Sequence, residues 1–117
     1  MPTPAATPTS ALEPDMPTIE SLAELSREMG PERWRVSSDA AQVVASYLLC
    51  HPRVARVRYP GLRGDALFGR ASCELVGGFG PIVCYEDART GEWRRLDLTD
   101  VADPRAFISR HLEGARG

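Results

Sequence analysis

The sequence predicts an α+β fold in which a small antiparallel or mixed sheet is covered by helices. Three observations favour it: two stretches with helical spacing of apolar residues come first, strand-length runs follow, and glycine and proline separate the elements. The predicted order is α-α-β-α-β-β-α, which lacks the regular alternation of a parallel α/β fold. With 117 residues, the chain is long enough for one domain with a modest core.

Residues 1–17 differ in composition from the rest of the chain. The stretch "MPTPAATPTSALEPDMP" holds five prolines with threonine and alanine, and it offers too little apolar surface to offset the entropy of ordering. We therefore expect a flexible tail over residues 1–17 and a single α+β domain over residues 18–117.

The first predicted helix starts after Thr18, a good N-cap, and stops at Gly30-Pro31. Its expected apolar face consists of Ile19, Leu22, Ala23 and Met29. The stretch "ERWRV" that follows is predicted to be a short link, with an edge strand as the alternative.

Helical spacing is clearest over Asp39–His51. Ser37 or Ser38 is expected to cap this helix, and Pro52 to end it. The predicted apolar face is formed by Ala40, Val43, Val44, Tyr47 and Leu48.

A strand is predicted over Val54–Tyr59, where apolar and basic residues alternate. One expected face carries Ala55, Val57 and Tyr59, and the other carries Val54, Arg56 and Arg58. The stretch "YPGL" that follows is a turn signal, and a weaker helical pattern extends from Asp65 to Val76 until Gly77-Gly78 closes it.

The last third of the chain predicts a β-hairpin and a helix. Ile82–Glu86 is expected to lie in the same sheet as the first strand, with "DARTGEW" holding the hairpin loop and "WRRLDL" returning as a strand. Asp103-Pro104 is expected to open a final helix. Its predicted apolar stripe is Phe107, Ile108, His111 and Leu112. The core is expected to include Val43, Val44, Tyr47, Leu48, Val57, Ile82, Val83 and Phe107.

Composition excludes several kinds of chemistry. All 14 basic residues are arginine, so the sequence has neither a Schiff-base lysine nor a P-loop lysine. The net charge of −2 gives no general attraction to nucleic acid, and no apolar run approaches the ~20 residues of a membrane span. The start of the chain lacks the features of a signal peptide. We expect a cytoplasmic protein with no nucleic-acid and no membrane partner.

The cysteines and histidines do not predict a metal site. Cys50, Cys73 and Cys84 contain no C-x-x-C pair and are expected to be buried, reduced thiols. His51 and His111 lack metal-ligand spacing, and His51 at a helix end is expected to contribute to stability. No metal site and no catalytic residue are predicted, and cofactor-binding residues cannot be assigned.

Four local signals each have a functional and a structural interpretation. The basic segment Arg53–Arg70 has Asp65 as its only acid and could bind phosphate, although a solvated strand face and turn explain it better. The "GGFGP" stretch is expected to end a helix rather than hold a phosphate. Trp34 and Trp93 are expected to pack inside rather than anchor a partner. Glu86 and Asp87 are adjacent on a strand and should point to opposite faces.

Two stretches together resemble a known family. "DAAQVVASYLLCHPRVARVRYPGL" followed by "FGRASCELVGGFGPIVCYE" is similar to the start of the C-terminal domain of the Cys/Met-metabolism pyridoxal-phosphate enzymes, the cystathionine γ-synthase and lyase group. The resemblance is clearest over residues 38–86. It rests on the spacing of His51-Pro52, Val54, Val57, Tyr59-Pro60-Gly61-Leu62, Gly77-Gly78-Phe79-Gly80 and Val83-Cys84-Tyr85-Glu86.

The resemblance implies the fold of that C-terminal domain without the family's catalytic parts. The cofactor lysine, the phosphate-binding loop and the stacking aromatic residue belong to the family's large domain, and no counterpart is present here. The "SLGG.ESL" loop and the carboxylate-binding arginine of the family are also missing, and "DARTGEWRRLDL" departs from its pattern.

The expected function is therefore that of a non-catalytic relative of this C-terminal domain, without a cofactor of its own. It could be a remnant, a regulatory piece, a fragment of a longer product or one subunit of a split enzyme. Pyridoxal phosphate would be involved only if a partner chain supplied the lysine domain, and the expected partner is such a chain or a second copy of this one. The alternatives are a small α+β protein-interaction module and an unrelated ligand-binding domain.

Deleting residues 1–17 should shift the thermal midpoint by less than about 3 °C, because no apolar face is lost. Thermal unfolding of the full and shortened chains checks this expectation. A large drop in the midpoint would mean that the segment packs as part of the domain.

Overall fold

The computed structural model describes residues 16–113, without the side chain of Glu113. Most of the predicted tail, residues 1–15, lies outside the described residues. The described part contains four α-helices, a terminal π-helical segment and a three-stranded sheet, in the predicted order, so the α+β prediction is confirmed. In chain order the elements are α1 Ile19–Met29, α2 Pro31–Leu49, β1 Val54–Arg58, α3 Phe68–Glu74, β2 Ile82–Asp87, β3 Trp93–Asp97, α4 Pro104–Ile108 and the π-helical Ser109–Glu113.

Helix α1 begins and ends where the sequence predicts. The Thr18 side-chain oxygen accepts a hydrogen bond from the Ser21 N–H at 3.0 Å, which satisfies one free donor of the first turn. Ile19, Leu22 and Met29 are buried, and the helix ends at Gly30 with a φ of +85°.

Helix α2 starts much earlier than predicted, and the expected link "ERWRV" is wrong. Pro31 begins the helix at its first position, where its fixed φ is already helical and its missing N–H is not needed. Ser37 and Ser38 are therefore not caps but buried residues in the middle of the helix. The Ser37 hydroxyl accepts a hydrogen bond from the backbone N–H of Asp100, and the Ser38 hydroxyl accepts one from that of Gly80. Both donors lie in loops far away in sequence, so the local sequence does not indicate them.

The sheet is antiparallel in the order β1-β2-β3. Its pairing is irregular between Val54 and Arg56, so both Val54 and Val57 pack against the core while Ala55 is exposed. The prediction that Ala55 and Val57 share one face is thus wrong, because a bulge interrupts the alternation of side chains between the two faces of a strand. The strand ends at Arg58, and Tyr59 is completely buried beyond it.

The remaining elements form as predicted: α3 and β3 are shorter than expected, whereas β2 extends one residue beyond the predicted end. Helix α3 occupies only the centre of the predicted helical stretch, and Val76 after it is 85% exposed. The hairpin between β2 and β3 forms as expected. The Asp103 carboxylate caps α4 by accepting the Ala106 N–H at 3.2 Å. Within the last predicted stripe, Ile108 is buried and His111 is exposed.

The main core lies between α2, the sheet and α4. Its fully buried members include Val44, Leu48, Tyr59, Val83 and Leu98, and Ile82 is buried nearby. Tyr47, Val57 and Phe107 are half-buried against it. Val43 is 45% exposed, so its predicted burial is wrong. The inward face of α2 runs through Trp34, Ala41, Val44 and Leu48 because the helix begins one turn and a half before the predicted cap and packs against α1 as well.

The cysteines differ from the prediction of buried thiols. Cys84 is buried on β2, but Cys50 and Cys73 are exposed, and none of the three forms a disulfide. Cys50 follows the last turn of α2 and Cys73 lies on the outer face of the short α3, so neither faces the core.

Replacing Leu48 with alanine should lower the free energy of unfolding by about 2–5 kcal/mol, because a completely buried side chain leaves a cavity. The matched variant Val43→Ala, on the exposed side of the same helix, should lower it by less than about 0.5 kcal/mol. Urea unfolding of both variants checks the pair. Equal midpoints would show that the core-facing side of α2 is assigned wrongly.

Candidate functional site

The two glycine-containing motifs meet at the buried side chain of Tyr59. Its hydroxyl oxygen lies 2.8 Å from the carbonyl oxygen of Gly80 and 3.2 Å from that of Ser38. The single hydroxyl proton is therefore shared between the loop before β2 and helix α2. Gly80 donates its own N–H to Oγ of Ser38 at 3.0 Å. Burial, helped by the negative charge of Asp39, raises the pKa of Tyr59, so the hydroxyl keeps its proton and remains a donor.

The segments that meet at Tyr59, here called the Tyr59 junction, are the turn after β1, the loop before β2 and helix α2. Glycine is required in the turn and in the loop because each approaches α2 closely. A Cβ atom at Gly61 would overlap Oε1 of Gln42 and lie 2.6 Å from Cε2 of Tyr59. A Cβ atom at Gly78, whose φ is +155°, would overlap the side chain of Ser38. The glycines of "YPGL" and "GGFG" therefore allow the turn and the loop to pack on α2, and the loop leads into β2 rather than into a helix.

Asp65 organises the turn after β1, and sequence reasoning missed this role. Its carboxylate is completely buried and accepts hydrogen bonds from Nε of Arg58 at 2.9 Å, from the Tyr59 N–H at 3.0 Å and from the Leu67 N–H at 2.9 Å. A hydrogen bond from the backbone N–H two residues later to an aspartate side chain is an Asx-turn, which aspartate favours in loops. An aspartate after the "YPGL" turn was therefore the sequence feature that could have predicted this role.

Ion pairs neutralise much of the basic segment Arg53–Arg70. Arg58 pairs with Asp65, and Arg70 pairs with Glu20 and Glu74. Arg56 pairs with Glu86 at 2.8 Å and lies over the ring of Trp93, 5.2 Å from its centroid. The segment is thus mainly a structural charge network, which agrees with the interpretation as a strand face and turn.

A groove of about 670 Å³ runs along the outer edge of β1. Its apolar walls include Leu49, which is 57% exposed, together with Val57 and Leu62. Arg56, Arg58, Arg63 and Trp93 contribute polar and aromatic surface. Such a groove can contact an apolar segment with acidic flanks, but its lining contains no nucleophile paired with a base.

The other predicted candidates have structural roles. Trp34 is buried between α1 and α2, whereas Trp93 is half-buried on the sheet. Glu86 pairs with Arg56, while the Asp87 carboxylate accepts the Arg89 N–H at 2.8 Å in the hairpin loop. These backbone contacts lower the pKa of Asp87. Neither acid is positioned as an acid/base partner of the other.

In residues 16–113, no group of three or more histidine, cysteine, aspartate or glutamate side chains could hold a metal ion. Among the same residues, no helix is both long enough and apolar enough to cross a membrane.

The fold defined by these contacts also occurs within a larger lyase. One solved structure that shows this is an O-acetylhomoserine (thiol)-lyase from Campylobacter jejuni subsp. jejuni NCTC 11168, determined at 2.35 Å with N'-pyridoxyl-lysine-5'-monophosphate. The match has a TM-score of 0.61 and 17% sequence identity, and it covers 70% of this chain and 28% of the lyase. The chain thus corresponds to little more than a quarter of that enzyme, and the likeness is one of fold.

Sequence comparison adds no further relative. No protein-family model matches the sequence, and no curated protein matches it.

Replacing Asp65 with alanine should lower the free energy of unfolding by about 2–4 kcal/mol, because it leaves a half-buried arginine and two backbone N–H groups without their acceptor. The control Glu92→Ala removes an exposed acid whose oxygen is 3.6 Å from Arg94, and it should cost less than about 0.5 kcal/mol. Chemical unfolding of both variants is the measurement. If the two variants lose equal stability, Asp65 does not organise the turn.

Proposed function

We propose that these 117 residues form a non-catalytic relative of the C-terminal domain of a pyridoxal-phosphate-dependent enzyme of the cystathionine γ-synthase type. The observation that carries the proposal is the match in fold to part of an O-acetylhomoserine lyase. The Tyr59 junction supports it, because the motif residues that resemble the family are those that pack the turn and the glycine loop on α2.

The residues present do not fit the cofactor chemistry of such enzymes. Pyridoxal phosphate supplies an electron sink when a lysine amine of the protein holds it as an imine. The sequence contains no lysine, and arginine cannot replace it because its guanidinium group stays protonated and is a poor nucleophile. A catalytic role for these residues would therefore require an amine from outside these 117 residues.

The corresponding biological role is that of a subunit beside a lysine-bearing large-domain chain, either as part of a split enzyme or as a regulator. The β1 groove is the surface that best suits this partner, because Leu49 exposes apolar area there and the exposed Arg63 of the same groove can pair with an acidic group. A neighbouring gene for a large domain that lacks its own C-terminal part would favour the split-enzyme form.

A protein-interaction module unrelated to this chemistry is the second candidate. It is favoured by the sheet of residues 16–113, in which β1 and β3 each pair on one side only. Such edges can accept an extended strand from a partner. A neighbouring gene for a complete enzyme, or for no related enzyme, would favour this candidate.

Titration with pyridoxal phosphate should give no stoichiometric imine, because none of the 117 residues supplies a side-chain amine. The visible spectrum, followed by borohydride reduction and mass spectrometry, measures this. The variant Arg63→Lys adds one exposed amine and sets the level of non-specific labelling. Full labelling of the unaltered chain at one position, with turnover of a sulfur amino acid, would refute the non-catalytic assignment.

The partner surface can be tested separately with a lysine-bearing large-domain chain, where a neighbouring gene encodes one. We expect a stable complex that Leu49→Arg weakens at least tenfold, since this residue lies in the groove. Val43→Arg places the same charge on another exposed part of α2 and should leave the affinity unchanged. If the large-domain chain does not bind, or if both variants bind equally well, the proposed surface is wrong.

A further inference from the structure

A second cavity, of about 630 Å³, lies where the end of α2, the strands β2 and β3 and the π-helical segment meet. Its volume is within the range of small-molecule sites. Its polar and charged lining consists of His51, Arg53, Tyr85, Asp87, Arg94, Arg95 and His111, and Trp93 also lines it. This cavity shares only Trp93 with the β1 groove, and the proposed function makes no use of it.

The charge of the lining is strongly positive. Arg53, Arg94 and Arg95 line the cavity together with one acid, Asp87, and Arg94 also lies 3.6 Å from Glu92 outside the lining. One oxygen of Asp87 already accepts the backbone N–H groups of Arg89 and Thr90, at 2.8 and 3.3 Å, so part of its capacity is used by the hairpin. The lining therefore carries two positive charges more than it carries negative ones, before either histidine is counted.

Several donors at the cavity lack an acceptor among residues 16–113. No such acceptor contacts the guanidinium of Arg53 or the hydroxyl of Tyr85. Burial raises the pKa of Tyr85 more than the nearby Arg94 lowers it, so the phenol keeps its proton. The backbone N–H of Arg53 is donated to Nδ1 of His51 at 3.1 Å, so Nε2 is the ring nitrogen that remains for a ligand.

Apolar side chains complete the walls. Leu48, Val54, Leu96 and Leu112 line the cavity together with the ring of Trp93. A ligand that fits must therefore offer both an acceptor-rich negative group and an apolar body. We propose that this cavity binds a small organic anion, a carboxylate or a phosphate monoester on an apolar body, through Arg53, Tyr85 and His51.

Nuclear magnetic resonance of the ¹⁵N-labelled chain tests the proposal with phenyl phosphate and benzoate as probes and benzamide as the uncharged comparison. Saturable shifts should concentrate on the backbone signals of Arg53, Tyr85, Leu96 and Leu112. The anion that binds with the higher affinity identifies the preferred head group. Arg53→Gln should weaken binding at least tenfold, and Tyr85→Phe should weaken it severalfold.

Arg105→Gln is the matched control, since it removes an equal charge from α4 outside the cavity and should leave the affinity unchanged. The spectrum of each variant shows whether it is folded, and Tyr85→Phe gives an independent result if Arg53→Gln is not. The proposal is overturned if neither anion gives saturable shifts or if benzamide binds equally well. It is also overturned if the folded cavity variants bind the anions with the same affinity as Arg105→Gln. None of these outcomes depends on a pyridoxal-phosphate partner.

Discussion

The packing of this domain depends on the Tyr59 hydroxyl, which is buried between two carbonyl oxygens that lie far apart in sequence. One belongs to Ser38 in the middle of α2, and the other to Gly80 just before β2. Since the Ser38 hydroxyl also accepts the Gly80 N–H, the helix, the turn after β1 and the entrance to β2 are joined at one point. A buried polar network of this kind is stabilising only when every member is satisfied, so it selects one arrangement of the three segments.

The same contacts around Tyr59 explain why a resemblance in sequence need not extend to cofactor chemistry. The glycines and the tyrosine of the two motifs are required by distances within the scaffold, since a Cβ atom at Gly61 or Gly78 would overlap a side chain of α2. Scaffold requirements remain wherever the fold is used, whereas cofactor chemistry needs a lysine that this sequence does not contain. Likeness in these motifs is therefore evidence for the fold and carries little information about catalysis.

Periodicity and turn chemistry predicted the number, type and order of the elements, because these depend on local spacing and on glycine, proline and capping residues. The predictions failed where contacts between residues far apart in sequence determine the local structure. Ser37 and Ser38 resemble caps, but they lie inside α2 because Asp100 and Gly80 bring N–H groups to their hydroxyls. The exposure of Val43 follows from the earlier start of α2 and its contact with α1. The two cavities combine residues from separate elements, so no local pattern could have indicated them.

The arginines divide into two groups by their partners. Arg58 and Arg70 are held by carboxylates of the scaffold, and Arg33 forms an ion pair with Asp100 that joins α2 to the loop after β3. Arg53, by contrast, meets no acceptor among residues 16–113 and lines a cavity with other donors. A guanidinium group that is always charged is suited to recognising an anion and unsuited to forming covalent intermediates. The chemistry available to these residues is therefore recognition, and the unpaired donors at the end of α2 mark where it would occur.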